Sequence, residues 1–148
     1  MSSFVGEHTS KLDEKGRMVF PSELKNRLMA LGQKSLIVKK DFYQKCLTLY
    51  TLEAWNELTA SMRERLNLFN KDHAALWREF MRDRAEITPD EKNGRISIPR
   101  QLLDKIDVDK EVVFVGMEDR IELWAKDTYA KVGMSEEEFS DAIAKYLG

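Results

Sequence analysis

Two stretches of this 148-residue chain carry nearly the same pattern. Residues 16–24 read GRMVFPSEL and residues 94–102 read GRISIPRQL, at an offset of 78 residues. In each stretch a glycine permits the positive φ of a tight turn, a short alternating segment indicates a strand, and a proline ends that strand and can open a helix. The duplication therefore decides the fold.

The similarity continues beyond these nine residues. Leu28 corresponds to Ile106, and LTLY at 47–50 corresponds to IELW at 121–124 at an offset of 74 residues. The four-residue difference falls in a hairpin loop, which spans 39–46 in the first copy and 117–120 in the second. Each copy thus predicts a strand, a turn, a strand, a short helix and a hairpin.

The segments outside the copies predict helices. Residues 52–86 contain no glycine or proline and place apolar residues at helical spacing, which predicts two helices that separate near residues 70–72. Ser135 followed by Glu138 forms a capping-box pattern, and Phe139, Ile143 and Tyr146 continue it as a final helix.

These elements predict an α+β fold with one shared core. A half of about 45 residues with short strands buries little surface alone, so we expect the two β-α-β halves to interlock around a pseudo-two-fold axis. The expected division is a first half at 1–56, a helical connection at 57–86, a second half at 87–130 and a C-terminal helix at 131–148.

The net charge of −2 conceals an uneven distribution. Residues 1–40 hold eight Lys or Arg against four acids, residues 41–103 hold ten against ten, and residues 104–148 hold six against twelve. A chain with a basic front and an acidic back can present one face to a polyanion.

Several classes of protein are disfavoured. No apolar run approaches the roughly 18 residues of a membrane-spanning helix, and the start shows no signal core, so a cytoplasmic protein is expected. Cys46 stands alone and is interpreted as a small apolar residue, with no metal or cofactor. Phosphate loops, His-Glu-x-x-His and nucleophile elbows are absent, and His8 and His73 are isolated, which favours neither an enzyme nor a small-molecule substrate.

Several spaced motifs, in order, resemble the MraZ family of bacterial regulators, part of the AbrB-like swapped-hairpin group. They are FVGE at 4–7, LDEKGR at 12–17 with Pro21, LTLY at 47–50 with Trp55, Gly94-Arg95 with Pro99, and VG at 115–116 with RIELW at 120–124. The resemblance covers nearly the whole chain. It implies a swapped-hairpin type barrel with added helices.

The resemblance also implies a function. It points to a DNA-binding transcriptional regulator, associated with the nucleoid, that recognises repeated boxes in the promoter of the division and cell-wall gene cluster, including its own gene. It further implies a ring-shaped homo-oligomer on double-stranded DNA. The family's Asp-x-x-x-Arg signature is matched by Asp13 and Arg17, and only loosely in the second half, where Glu91 stands four residues and Asp90 five residues before Arg95.

The candidate DNA-binding residues follow from the first hairpin and its repeat. A two-stranded ribbon fits the major groove, cations supply the phosphate contacts, and an arginine can bridge the O6 and N7 atoms of guanine. Asp13 could orient the Arg17 guanidinium or simply staple the hairpin, and the two roles are compatible. Lys39 and Lys40 could contact phosphate or keep a loop soluble. The full candidate set is Lys11, Asp13, Lys15, Gly16, Arg17, Lys39, Lys40 and Arg95.

The competing hypothesis is a protein-interaction ring or an antidote-like module that binds a partner protein without sequence-specific DNA contact. The aromatic and apolar residues of the central helices could form either contacts between subunits or intramolecular core; they are Trp55, Trp77, Phe80 and Met81. Five arginines between residues 63 and 84 are nearly neutralised by five acids between residues 64 and 86, which favours a solvated helix face.

Overall fold

A computed structural model describes residues 3–148, so the first two residues of the expected 1–56 half lie outside the described residues. Each half follows the predicted order of strand, turn, strand, helix and hairpin. The first-half elements are β1 (Glu7–Lys11), β2 (Arg17–Val19), α1 (Ser22–Ala30), β3 (Leu36–Lys40) and β4 (Leu47–Thr51). The second-half elements are β5 (Arg84–Ile87), β6 (Arg95–Ser97), α4 (Arg100–Lys105), β7 (Glu111–Gly116) and β8 (Arg120–Ala125).

The helices outside these units are α2 (Leu52–Arg65) and α3 (Lys71–Met81) between the halves, and α5 (Lys126–Lys131) and α6 (Glu136–Tyr146) after them. The predicted break is confirmed, because the Asn70 side chain accepts hydrogen bonds from the backbone N–H groups of Asp72 and His73 and starts α3. The predicted helical connection, residues 57–86, differs from the structure at both of its ends. Helix α2 already starts after the cap residue Thr51, and Asp83, at φ 53°, turns the chain into β5.

The two halves exchange strands. The main antiparallel sheet has the order β1-β7-β8-β4-β3-β5, in which β1 of the first half pairs with β7 of the second and β5 of the second pairs with β3 of the first. Strands β4 and β8 join the halves at its centre. Each half therefore completes its sheet with a strand from the other.

The predicted swapped-hairpin type barrel is not present as a closed barrel among the described residues. The main sheet ends at β1 and β5, which do not pair with each other. Each edge strand leads instead through a tight turn into β2 or β6, and these two strands pair as a separate two-stranded ribbon. Strands β2 and β6 thus make their ladder hydrogen bonds with each other, and β1 and β5 remain the edges of the main sheet.

The inner face of the sheet, the side that carries Leu47, Leu49 and Phe114, holds one core built from both halves. Helices α1 and α4 and the ribbon cover it; their buried residues include Met18, Phe20, Leu24, Leu28, Ile96, Ile98, Leu102 and Leu103. The rings of Phe20 and Phe114, one from each half, meet edge to face at 5.4 Å between centroids. The prediction of one shared core is confirmed.

The outer face, the opposite side of the sheet, is covered by helices. Tyr50, Trp55 and Phe80 pack together under α2 and α3, and Val113, Trp124 and the partly buried Tyr129 pack under α5. Trp55 and Phe80 are therefore intramolecular core, and Trp77 stacks on Phe80 at 5.9 Å. Within the described chain, none of the helices combines the length and the apolar character that crossing a membrane requires.

Candidate nucleic-acid interface

The β2–β6 ribbon places two arginines on one outward face. In its register Arg17 lies opposite Ser97, Met18 opposite Ile96, and Val19 opposite Arg95. Met18 and Ile96 are buried, so the alternation of a strand turns Arg17 and Arg95 away from the core. The two arginine Cα atoms occupy diagonal positions, about 8 Å apart by ordinary strand spacing.

The first turn is clamped by one carboxylate. Oδ1 of Asp13 accepts hydrogen bonds from the backbone N–H groups of Lys15, at 2.9 Å, and Arg17, at 2.8 Å. Its Oδ2 accepts a hydrogen bond from Nε of Arg17 at 3.0 Å. The Asp-x-x-x-Arg spacing therefore both staples the hairpin and orients the guanidinium.

The clamp leaves part of Arg17 available. Its terminal Nη atoms have no hydrogen-bond partner among the described residues, and 38% of the side chain is exposed. The backbone hydrogen bond from Arg17 is the main cause that holds the pKa of Asp13 below its ordinary value of 3.8. Asp13 is thus an anion at neutral pH, and the partly exposed arginine it fixes keeps both terminal nitrogens available as donors.

The second turn is one residue longer and is built differently. The N–H of Asp90 binds the carbonyl of Arg95, whereas that of Asp13 binds the carbonyl of Arg17. Asp90, rather than Glu91, is therefore the counterpart of Asp13. Its Oδ1 accepts hydrogen bonds from the N–H groups of Lys92 and Asn93, at 2.8 and 3.1 Å.

The longer turn separates the carboxylate from the arginine. The side chain of Asn93 accepts the N–H of Arg95 at 2.9 Å, and the Arg95 guanidinium has no ion pair or hydrogen bond in residues 3–148. Hydrogen bonds from the backbone of Asn93 and Lys92 lower the pKa of Asp90, and the nearby charges of Lys25 and Arg17 lower it further. The two turns therefore share one electrostatic surface.

Glycines allow both turns to form. Gly16 has φ +78° and Gly94 has φ +68°, a conformation that other residues rarely adopt. A Cβ at Gly16 would meet nothing within 4 Å, so this candidate residue acts through its backbone. The N–H of Phe20 donates to the carbonyl of Gly94 at 2.8 Å and ties the two copies together.

The remaining lysines of the first hairpin are exposed at its edge. Lys15 lies in the turn, and Lys11 lies at the end of β1 opposite Glu111. Sequence reasoning did not select Lys25, whose Nζ donates to the carbonyl of Asp90 at 3.1 Å. The only sequence signal for Lys25 was its place in the basic front of the chain.

The structure corrects the placement of Lys39. Its side chain is on the outer face, only 5% exposed, and burial lowers its pKa. Nζ of Lys40 donates to the carbonyls of Asp41 and Gln44 and so holds the 41–46 loop. Both lysines lie near the start of β5, at the opposite end of that strand from the Asp90 turn, so they do not belong to the ribbon surface.

Cys46 has acidic neighbours that the sequence did not predict. The ligand atoms of Cys46, Asp41 and Glu122 lie within 4.8 Å of one another. Burial raises the pKa of the thiol, Asp41 accepts hydrogen bonds from Gln44 and other loop groups, and Glu122 accepts one from the Trp124 indole. These carboxylates serve the loop and the indole, so the group behaves as packing with internal hydrogen bonds.

These features define an internally duplicated α+β protein whose halves exchange strands and jointly present a two-stranded ribbon with two outward arginines. The profile of the MraZ protein family, described as antitoxin-like, matches residues 3–79 and 80–147, one match for each half. The chain therefore belongs to the MraZ family.

Full-length relatives carry the name transcriptional regulator MraZ. The protein of Bacteroides thetaiotaomicron is 37% identical over 147 residues, which cover 99% of this chain and 94% of that protein. The protein of Acetivibrio thermocellus is 34% identical over 144 residues, which cover 97% of this chain and 96% of that protein. The similarity thus includes both turns and the helices around them.

Proposed function

We propose that this chain is a DNA-binding transcriptional regulator that places the β2–β6 ribbon in the major groove. The observation that carries the proposal is the outward face of the ribbon, where Arg17 and Arg95 stand at diagonal corners above a buried apolar layer. The relatives named as transcriptional regulators support the same role. This role is one of binding rather than catalysis.

The chemistry of Arg17 suits base recognition. Asp13 occupies Nε of the guanidinium and fixes its plane, while the terminal donors point outward. Such a fork can donate to O6 and N7 of guanine, which only the major groove presents together. Lys15 and Lys11 then supply phosphate contacts that depend on salt.

One ribbon offers few contacts, so the proposed regulator acts as a homo-oligomer, in the form of a ring. Several ribbons on one assembly would engage repeated promoter boxes, and the second and later contacts would become intramolecular. We propose that these boxes lie before the division and cell-wall gene cluster, which includes the gene of this chain. The protein would then work at the nucleoid in the cytoplasm.

The antitoxin-like description of the family favours one alternative function. In this alternative, the chain binds a partner protein and makes no sequence-specific contact with DNA. The two functions differ in what they require of the ribbon. A module that bound its partner through another surface would tolerate the loss of Arg17.

A binding titration tests the proposal. The purified chain is titrated against a duplex from upstream of its own gene and against a shuffled duplex of equal composition, at 50 and 200 mM salt. We expect tighter binding to the upstream duplex at both salt concentrations, and weaker binding at high salt because phosphate contacts release counterions. Equal affinity for the two duplexes would contradict sequence-specific regulation.

A further inference from the structure

Helix α6 has a formed start, but the described part of its own chain buries none of its residues. Ser135 and Glu138 make a complete capping box, yet none of the residues of α6 is buried. An isolated helix of 11 residues has marginal stability in water, because its few hydrogen bonds hardly offset the unfavourable free energy of helix nucleation. A neighbouring molecule that covered α6 would therefore stabilise this helix.

The uncovered face of α6 is apolar. Phe139, Ile143 and Tyr146 follow one another at helical spacing and are 59%, 42% and 73% exposed. The opposite face is acidic, and the first turn carries Glu136, Glu137 and Glu138. The helix is thus an apolar stripe with a negatively charged flank.

A complementary surface lies on α3 of the same chain. An open apolar groove there has a basic rim, and its lining is Leu68, Ala74, Trp77, Arg78, Met81 and Arg82. The guanidinium of Arg63 lies 5.4 Å from the centroid of the Trp77 ring and extends the basic rim. Arg78 has no acidic partner among the residues described.

We propose that α6 of one copy docks its apolar face into the α3 groove of a neighbouring copy. Charge decides against α6 pairing with a second α6, because that contact would bring two acidic helices together, whereas the groove offers Arg78, which has no acidic partner among the described residues. Arg82 also lines the groove, and Glu79 pairs with it within the chain. The proposal specifies how the oligomer of the proposed function is built.

The proposed contact can repeat from one copy to the next. The α6 face and the α3 groove are different surfaces, so each copy that uses one of them on a neighbour still offers the other. Such a head-to-tail contact closes into a ring when its rotation allows. The α3 groove lies on the outer face of the sheet and the ribbon lies over the inner face, so a helix docked in the groove does not cover Arg17 or Arg95 of the copy that offers the groove.

The first test changes the helix face. Ile143→Asp adds a charge within the apolar stripe, and the matched control Ala144→Asp adds the same charge on the opposite side of α6. Light scattering is expected to show single chains for Ile143→Asp and the parental multi-subunit size for Ala144→Asp. A parental size for Ile143→Asp, or a monomeric parent chain, would overturn the proposal.

Cross-linking identifies the two partners. Ile143→Cys and Ala74→Cys chains, mixed and treated with a short thiol cross-linker, are expected to give mixed dimers, and a chain with both changes should give a ladder of multimers. Cross-linking of Ile143→Cys with itself, cross-linking only within one chain, or no cross-link would contradict the proposal. Failure here differs from failure of DNA recognition, because Ile143→Asp should still bind a duplex with a single box as the parent does.

Discussion

The two turns of the ribbon differ by one residue, and that residue separates two roles of an aspartate. Asp13 and Asp90 both accept backbone N–H groups and hold their turns. Only Asp13 also binds the arginine of its turn, because the longer second turn places Asn93 between Asp90 and Arg95. Stapling is therefore common to both halves, and orientation of the arginine belongs to the first.

The largest expected effect comes from Arg17→Ala. Losing a bidentate base contact costs about 1–3 kcal/mol for each engaged subunit, and the losses compound in an oligomer. DNA affinity should fall while the oligomer size and thermal midpoint stay near parental values, because the core does not include this side chain. Arg65→Ala, on an exposed helix end, serves as the matched control. If Arg17→Ala binds DNA normally but has a lowered thermal midpoint, the role of Arg17 is to stabilise the turn and not to bind DNA.

Arg95→Ala is expected to weaken DNA binding less than Arg17→Ala. Arg95 shares the face of the ribbon but must be ordered on binding, since no carboxylate of the described chain holds its guanidinium. Ordering such a side chain costs about 0.5–1.5 kcal/mol, which reduces its net contribution. Titrations of both variants with one duplex measure the difference. An equal or larger loss for Arg95→Ala would show that the two turns are equivalent in binding.

Removing the carboxylates sharpens the same comparison. Asp13→Ala should lower DNA affinity by roughly threefold to tenfold. Without its carboxylate partner, the Arg17 side chain loses conformational entropy on binding DNA, as the Arg95 side chain does in the parent. Asp90→Ala should leave the affinity close to that of the parent, because Asp90 does not contact Arg95. Thermal midpoints are measured alongside, since both variants lose a turn staple. Equal affinity losses would argue that turn shape, rather than arginine orientation, controls binding.

The smallest expected effect is a change in the thermal midpoint at acidic pH. The pKa of Asp13 lies below 3.8 in the folded chain, mainly because of the backbone hydrogen bond from Arg17, so its stabilising contribution is present above pH 3.8. It is lost as the pH falls through the folded pKa. Asp13→Asn should therefore lower the thermal midpoint at pH 7, and the difference from the parent should shrink below pH 3.8. Asp109→Asn is the control, and a difference that persists unchanged in acid would contradict the assignment.

The repeat predicted most of the local structure. Glycine, alternating strand and proline recur at fixed spacing, so the order of elements in both halves follows from residues 16–24 and 94–102. The exchange of β1 and β5 between halves depends on pairing between distant segments, which local patterns do not specify. Strand β5 falls within the predicted helical connection, because nothing in its sequence indicates the positive φ of Asp83.

The candidate site was predicted in part. Asp13, Gly16 and Arg17 meet as a clamped turn, as the Asp-x-x-x-Arg spacing indicated. Lys39 lies apart from this turn, because strand alternation directs its side chain to the outer face, where its Nζ lies 6.0 Å from the centroid of the Phe42 ring. The shared face of Arg17 and Arg95 required the β2–β6 register, which joins residues almost 80 positions apart.

The central claim is that Arg17 reads guanine in the major groove. The most direct measurement compares parent and Arg17→Ala binding to the upstream duplex with ordinary guanine and with 7-deazaguanine, which lacks the N7 acceptor. We expect this substitution to weaken binding of the parent by tenfold or more, about 1.4 kcal/mol, and to leave binding of Arg17→Ala nearly unchanged. An equal loss for both proteins would contradict base reading by Arg17.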